Sequence, residues 1–170
     1  MAGKVNVLLD TSVLINFVRI NRLDLLRDHS AYEYFVTNHV RDEVLEHFRE
    51  QYEAVDAAVK SGVLTELCVD AAGELADFGK LVSMKNLGMG ECSAIAVAKH
   101  RRFVLGIDDV TARKMARRFH ADLKFTSTQE VMVALIRENV LSVEEADHIK
   151  EDWEKNHRFR LRFSSFGEKL

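Results

Sequence analysis

The chain contains no proline, so one strong turn signal is missing and its loops must be read from glycine and small polar residues. Cysteine is scarce. Cys68 and Cys92 form no CxxC and show no metal-type spacing, which argues against a disulfide framework and suits a reducing cytoplasm. No apolar run approaches the ~18 residues of a membrane span. The opening "MAGKVNVLLD" meets a charge before an apolar region builds up, so it does not read as a signal peptide. Linkers, repeats and low-complexity stretches are also missing. What remains is a chain of 170 residues, 47% of them hydrophobic, long enough for one proper core and too apolar to be disordered.

The net charge of −3 hides an asymmetry. Lys99 to Lys124 holds eight Lys/Arg against three Asp (Asp108, Asp109 and Asp122), or +5, and the remainder carries −8. A basic segment in an acidic chain fits either a polyanion-binding face or a solvated helix face.

Apolar, β-rich runs alternate with longer helical patterns. "KVNVLLD" and "YFVTN" read as strands, the first buried on both faces. A helix is expected from His39, capped by Asn38, with Val40, Val44, Leu45 and Phe48 on one stripe, continuing to a stop at Gly62. "VLTELCV" is a third strand. "AGELADFGKLVSMKNLG" and "ECSAIAVAKH" are helical, the first ending near Gly88. "RFVLGID" is a strand, "DVTARKMARRFH" a helix and "DLKFTS" a strand. Two capping boxes, Ser127 to Glu130 and Ser142 to Glu145, open the last two helices. This alternation predicts a mostly parallel sheet with helices on both faces, and such sheets bind ligands at the carboxyl ends of their strands.

That edge carries acids. Asp10 ends the first strand, and Asp108 and Asp109 end "RFVLGID". Glu43 and Glu91 fall in first turns of helices that follow or flank those strands. Each alone reads as a helix cap or dipole partner. Together they converge, and close carboxylates repel unless protonated or bridged by a divalent cation. All-oxygen donors favour Mg²⁺ or Mn²⁺. Gly88 and Gly90 lack the third glycine and the preceding strand of a dinucleotide fingerprint, so they read as a turn. His39, His47 and His100 lack metal-type spacing and read as surface or cap residues.

"VLLDTSVLINF", "HVRDEV", "GMGECSAIAVA" and "VLGIDDVTARKMA", taken in that order, resemble the PIN-domain family, metal-dependent nucleases that include the VapC-type toxins. The resemblance runs from about Val5 to Thr128 and is nearest the branch with GxGExxAIxxA and IDDxxAR blocks. It implies a three-layer α/β/α sandwich. It implies a nuclease core over 1–130, with C-terminal helices and a basic-aromatic tail over 131–170 completing the same domain. It assigns Asp10, Glu43, Glu91 and Asp108 as the catalytic acids and metal ligands, with Asp109 as the alternate fourth acid. Thr11 or Ser12 would support Asp10, and Arg113 follows as a supporting or substrate residue. The implied reaction is hydrolysis of phosphodiester bonds in single-stranded RNA with Mg²⁺ or Mn²⁺ as cofactor.

An acidic cleft needs basic flanks to accept RNA. Arg113, Lys114, Arg117 and Arg118 follow the fourth acid at helical spacing. The tail "RFRLRFSSF" alternates Arg with Phe and Leu. It is expected to pack its apolar side on the domain or a second subunit, the alternative being a base-stacking arm. The expected partners are RNA, a small antitoxin protein and a second copy of the chain in a homodimer, with no membrane. Two other readings stand: a housekeeping RNA-processing or DNA-acting nuclease without antitoxin, and a non-catalytic RNA-binding module whose acids are only caps. A haloacid-dehalogenase-type phosphatase needs a second Asp where Ser12 stands, which sets that reading aside.

Overall fold

A computed structural model describes residues 3–170. Met1 and Ala2, which begin the N-terminal stretch and the expected 1–130 core, lie outside the described residues. Five strands, β1 (Val5–Leu9), β2 (Tyr32–Thr37), β3 (Thr65–Leu67), β4 (Val104–Gly106) and β5 (Phe125–Thr126), pair entirely in parallel in the order β3-β2-β1-β4-β5. Among the described residues, nine helices surround them: α1 (Thr11–Arg19), α2 (Asp24–Asp28), α3 (Asn38–His47), α4 (Arg49–Lys60), α5 (Ala72–Ser83), α6 (Met89–Arg101), α7 (Val110–Phe119), α8 (Thr128–Arg137) and α9 (Val143–Asn156). A 3₁₀ turn, Phe166–Lys169, follows. The architecture is the expected α/β/α sandwich.

Strand alternation divides the core in two. Val7 and Leu9 of β1 face a cluster with Tyr34, Val36, Phe17, Val131, Leu135 and Trp153. Leu8 faces the other way, onto Ile95, Val97, Leu105 and Ala112. The period of two in β1 thus supplies both layers, which is why every β1 position from Val7 to Leu9 is apolar and fully buried. Ala94, Ala96 and Ala98 are also fully buried, and their small size lets α6 lie close on the sheet. The C-terminal region shares the first cluster. Trp153 stacks edge-on to Phe17 at 6.1 Å and donates its indole N–H to the Asn16 carbonyl at 2.8 Å.

Several boundaries differ from the sequence expectation. Thr37, not Asn38, caps α3; its hydroxyl accepts from the Val40 N–H at 3.1 Å. The expected continuous helix to Gly62 breaks at Phe48, whose φ of −135° and ψ of 50° separate α3 from α4. Phe48 turns onto the core, and the Arg19 guanidinium lies over its ring. α5 stops at Ser83, well before Gly88, and Lys85 beyond it has a φ of 55°. The tail is neither a strand nor a free arm. Phe159, Leu161 and Phe163 pack against the first cluster while the chain bends, and Phe166 is fully buried. No helix among the described residues is long and apolar enough to cross a membrane.

Candidate active site at the carboxyl edge of the sheet

The central strands β1 and β4 end side by side: the Asp10 N–H donates to the Gly106 carbonyl at 2.8 Å. Asp10 therefore inherits the rigidity of the buried strand before it. It is only 2% exposed and is the N-cap of α1. Its Oδ2 accepts from the Ser12 hydroxyl at 2.8 Å and the Ser12 N–H at 3.2 Å. Ser12 Oγ in turn accepts from the Asp108 N–H at 3.0 Å, tying the two strand ends together. Of the two candidate hydroxyls, Ser12 supports Asp10, while Thr11 Oγ1 donates to Glu43 Oε2 at 2.7 Å.

Glu43 reaches the same edge from α3. Its other oxygen, Oε1, accepts from the Gly90 N–H at 2.8 Å. The turn "GMG" matters here: a Cβ at Gly90 would lie 2.4 Å from Glu43 Oε2, so only glycine leaves that carboxylate room. Glu91, in the first turn of α6, accepts from the Gly88 N–H at 2.9 Å.

The strongest charges acting on Asp10 and Glu91 are negative. Burial, against the Ser12 hydrogen bonds and with help from Glu43, pushes Asp10 up to about 6. Burial and the charges of Asp10, Asp109 and Glu43 push Glu91 up to about 7. Asp108 is also raised, chiefly by burial and against the donors around it. Burial together with Glu91 and Glu43 pushes the Cys92 thiol up to about 11, which leaves it unsuited as a nucleophile.

Asp108 and Asp109 do different things. Asp109 is exposed and caps α7, accepting from the Ala112 N–H at 2.6 Å. Asp108 turns inward, and its carboxylate accepts from the Thr128 N–H at 2.9 Å, the Thr128 hydroxyl, and Asn16 Nδ2 at 3.1 Å. Sequence reasoning missed Asn16 and Thr128. The signals available were faint: a lone amide inside "VLINF", and a second hydroxyl beside the Ser127 cap.

The basic residues divide as well. Arg113 Nη2 donates to the Ile107 carbonyl at 2.7 Å and the Thr126 carbonyl at 3.1 Å, and its guanidinium lies 5.5 Å over Phe125. It stitches β4 to β5 and lends positive potential to Asp108. Lys114, Arg117 and Arg118 are exposed on α7, with Arg117 also lying over Phe125 at 5.1 Å. Of the histidines, His39 packs on Phe78, His47 is exposed beside Glu46, and His100 bonds Asp77.

The donor set suits a hard divalent cation. Asp10 Oδ1 is buried and has no hydrogen-bond partner among the described residues, which is costly for an ionised oxygen unless a cation faces it. Yet among the described residues no three acidic, His or Cys side chains stand ready around one point. Glu43 is engaged by Thr11 and Gly90, Asp108 by Asn16 and Thr128, and Asp109 by its helix.

A search of curated protein sequences finds no match. Among solved structures, a chain of VapBC-1 from nontypeable Haemophilus influenzae is similar in fold, with a TM-score of 0.51 at 13% identity. The likeness covers 73% of this chain and 98% of that one. A family model described as "DUF3368: PIN domain" matches residues 6–166. That match takes in the strand-end acids, the basic helix and the C-terminal helices alike, and by it the chain belongs to the PIN domain family.

Proposed function

We propose that the protein is a Mg²⁺- or Mn²⁺-dependent endoribonuclease acting on single-stranded RNA, with its active site at the carboxyl edge of β1 and β4. One observation carries this reading: Asp10, 2% exposed at a strand end, keeps an unpartnered buried oxygen beside Glu43 and has no ion-pair partner among the described residues. A merely structural acid so placed would gain stability from a Lys or Arg partner. Membership of a nuclease family supports phosphodiester hydrolysis as the reaction.

Asp10, Glu43, Glu91 and Asp108 would hold the cation, with Asp109 at the rim. When bound, the cation supplies a water of lowered pKa and neutralises charge on the phosphate. The protein's own share is orientation. Ser12 fixes Asp10, and Thr11 with the Gly90 N–H fixes Glu43. Lys114, Arg117 and Arg118 lie on the helix that begins at Asp109, where they would hold phosphates of the strand without reading its bases.

The fold likeness to a chain of VapBC-1 supports a toxin role with a small antitoxin partner. Growth arrest on expression of the chain alone, relieved by a co-expressed neighbouring gene product, tests that part. The catalytic reading is tested by incubating metal-free protein with structured and unstructured RNA, with and without Mn²⁺. Cleavage confined to unstructured RNA in the presence of Mn²⁺ is expected. Binding of RNA without cleavage under either condition would return the chain to a non-catalytic RNA-binding module.

A further inference from the structure

The residues that hold Asp108 come from opposite ends of the chain. Thr128 opens α8 and is fully buried; Asn16 lies on α1 and is 2% exposed. Thr128 N–H serves Asp108 Oδ1 at 2.9 Å, while the Thr128 hydroxyl and Asn16 Nδ2 both serve Oδ2. Asn16 is itself immobile. Its Nδ2 also reaches the Ser12 carbonyl at 3.0 Å and Thr128 Oγ1 at 3.1 Å, and its carbonyl accepts the Trp153 indole N–H.

We propose that Asn16 and Thr128 are positioning residues that clamp the Asp108 carboxylate as the fourth acid of the site, making the start of α8 part of the catalytic apparatus. This rests on the metal-dependent reading above. A carboxylate offers about four acceptor positions. The three donors here leave Oδ1 the freer oxygen for a cation. Both side-chain donors are neutral, so they hold the group without cancelling its charge, as a Lys or Arg would. A side chain already fixed loses little rotamer entropy when it binds. Asp109 has no such clamp, since it is exposed and serves as the cap of α7. The competing account is that Asp108 only satisfies the free N–H at the start of α8. In that case the Thr128 hydroxyl and the Asn16 amide are dispensable for metal binding.

Thr128→Val separates the two. It keeps the backbone N–H and the shape and removes the hydroxyl, which donates to Asp108 and accepts from Asn16 Nδ2. Mn²⁺ binding to the metal-stripped full chain is measured by calorimetry, with circular dichroism as the folding control. Thr128→Val should weaken Mn²⁺ about tenfold, as loss of a ligand's hydrogen-bond partner typically does. Thr128→Ser should restore the affinity. Asn16→Ser, an independent variant lacking the amide donor, should act in the same direction. Asp108→Asn should lose more affinity than Asp109→Asn. Folded Thr128→Val and Asn16→Ser proteins that bind Mn²⁺ like the wild type would overturn the clamp and leave the nuclease reading intact. Wild-type protein that takes up no Mn²⁺ would overturn both. If the variants lose Mn²⁺ as expected but the wild type cleaves no RNA, the clamp stands and the nuclease reading falls.

Discussion

Asp10 and Glu74 are hidden from water to the same degree, 2% exposed each, yet they behave in opposite ways. Glu74, in the first turn of α5, is gripped by Arg101, whose Nε and Nη2 reach its two oxygens at 2.7 and 3.2 Å. That pairing outweighs burial and holds Glu74 below the usual carboxylate range. Asp77, one turn on, meets Lys99 at 2.6 Å and His100 at 2.7 Å. Burial works to raise it, and the hydrogen bonds from Lys99 and His100 win. The strongest charges beside Asp10 and Glu91 are those of other acids, and both titrate high. One helix serves both regions: the start of α6 gives Glu91 to the bare cluster, and its last turn gives Lys99, His100 and Arg101 to the paired one. Burial alone therefore does not tell the two sets of acids apart. The presence or absence of a compensating cation does.

The contrast breaks most visibly at Asp10. Asp10→Asn keeps the size and the capping ability, since Asn and Asp cap about equally well. RNA cleavage in Mn²⁺ should nevertheless fall below detection while the circular dichroism spectrum is unchanged. Without metal the variant should melt higher than wild type, because a buried like charge is gone. Full activity in a folded Asp10→Asn protein would sink the catalytic assignment.

Gly90→Ala strikes the same cluster through its support. The new Cβ would fall 2.4 Å from Glu43 Oε2, so the flexible carboxylate moves rather than the backbone. Cleavage should drop by roughly 10- to 100-fold, the scale of a ligand misplaced by about 1 Å. A melting curve close to wild type would accompany it.

Arg101→Met is the mirror experiment in the paired region. It keeps the apolar stem and leaves Glu74 buried without its cation. Urea denaturation should show a loss of roughly 2–3 kcal/mol. Cleavage per folded molecule should not change, and a loss of activity would mean the two regions are coupled.

The pH dependence of the metal-free protein should carry both signs. Asp10 and Glu91 titrate higher folded than unfolded. Their contribution to stability is complete below the ordinary carboxylate range and is lost as pH rises through about 6 and about 7. Glu74 and Asp77 titrate lower folded than unfolded, so their contribution is present above that range and lost on acidification. Thermal melts in a chelator, wild type against Asp10→Asn/Glu91→Gln, should diverge in favour of the variant as pH rises from the ordinary carboxylate range, about pH 4, to about 7, and run parallel above it. Curves that stay parallel would mean the acids are relieved in some other way.

The smallest effect belongs to the rim. Replacing Arg117 and Arg118 by Ala should flatten the log–log salt dependence of single-stranded RNA binding by about 1.4, if each neutralises one phosphate. An unchanged slope, read by fluorescence anisotropy, would leave α7 as a solvated face.

The paired region and the bare one were not equally legible in the sequence. Strand-end acids at the edge where parallel sheets bind ligands pointed to Asp10 and to the Asp108–Asp109 pair, and the family resemblance put Asp108 ahead of Asp109. Alternating patterns likewise led to the sheet and most of its helices. Nothing in the order of residues told Glu74 and Asp77 apart from surface acids. Their partners lie some 25 residues on, and pairing at that range follows from helix packing. The break at Phe48 escaped for a related reason: the helical stripe runs on locally, and the pull of the core on that ring is a tertiary effect.

Sequence by itself determined the layering. A strand apolar at every position must be covered on both faces, and the alternation of strands with helices demands a parallel sheet. It also placed acids at the ends of β1 and β4, because a strand's last residue lies at the sheet edge whatever else the chain does. Only the tertiary structure decided which acids remain uncompensated. Whether Asp108 faces Thr128 or solvent depends on contacts between residues up to 112 positions apart, as in the bond from Asn16 to Thr128. The physical reason is range. Backbone pattern is set by neighbours a few residues away, whereas the charge state of a buried carboxylate is set by whatever lies within a few ångströms, and folding brings that from anywhere in the chain.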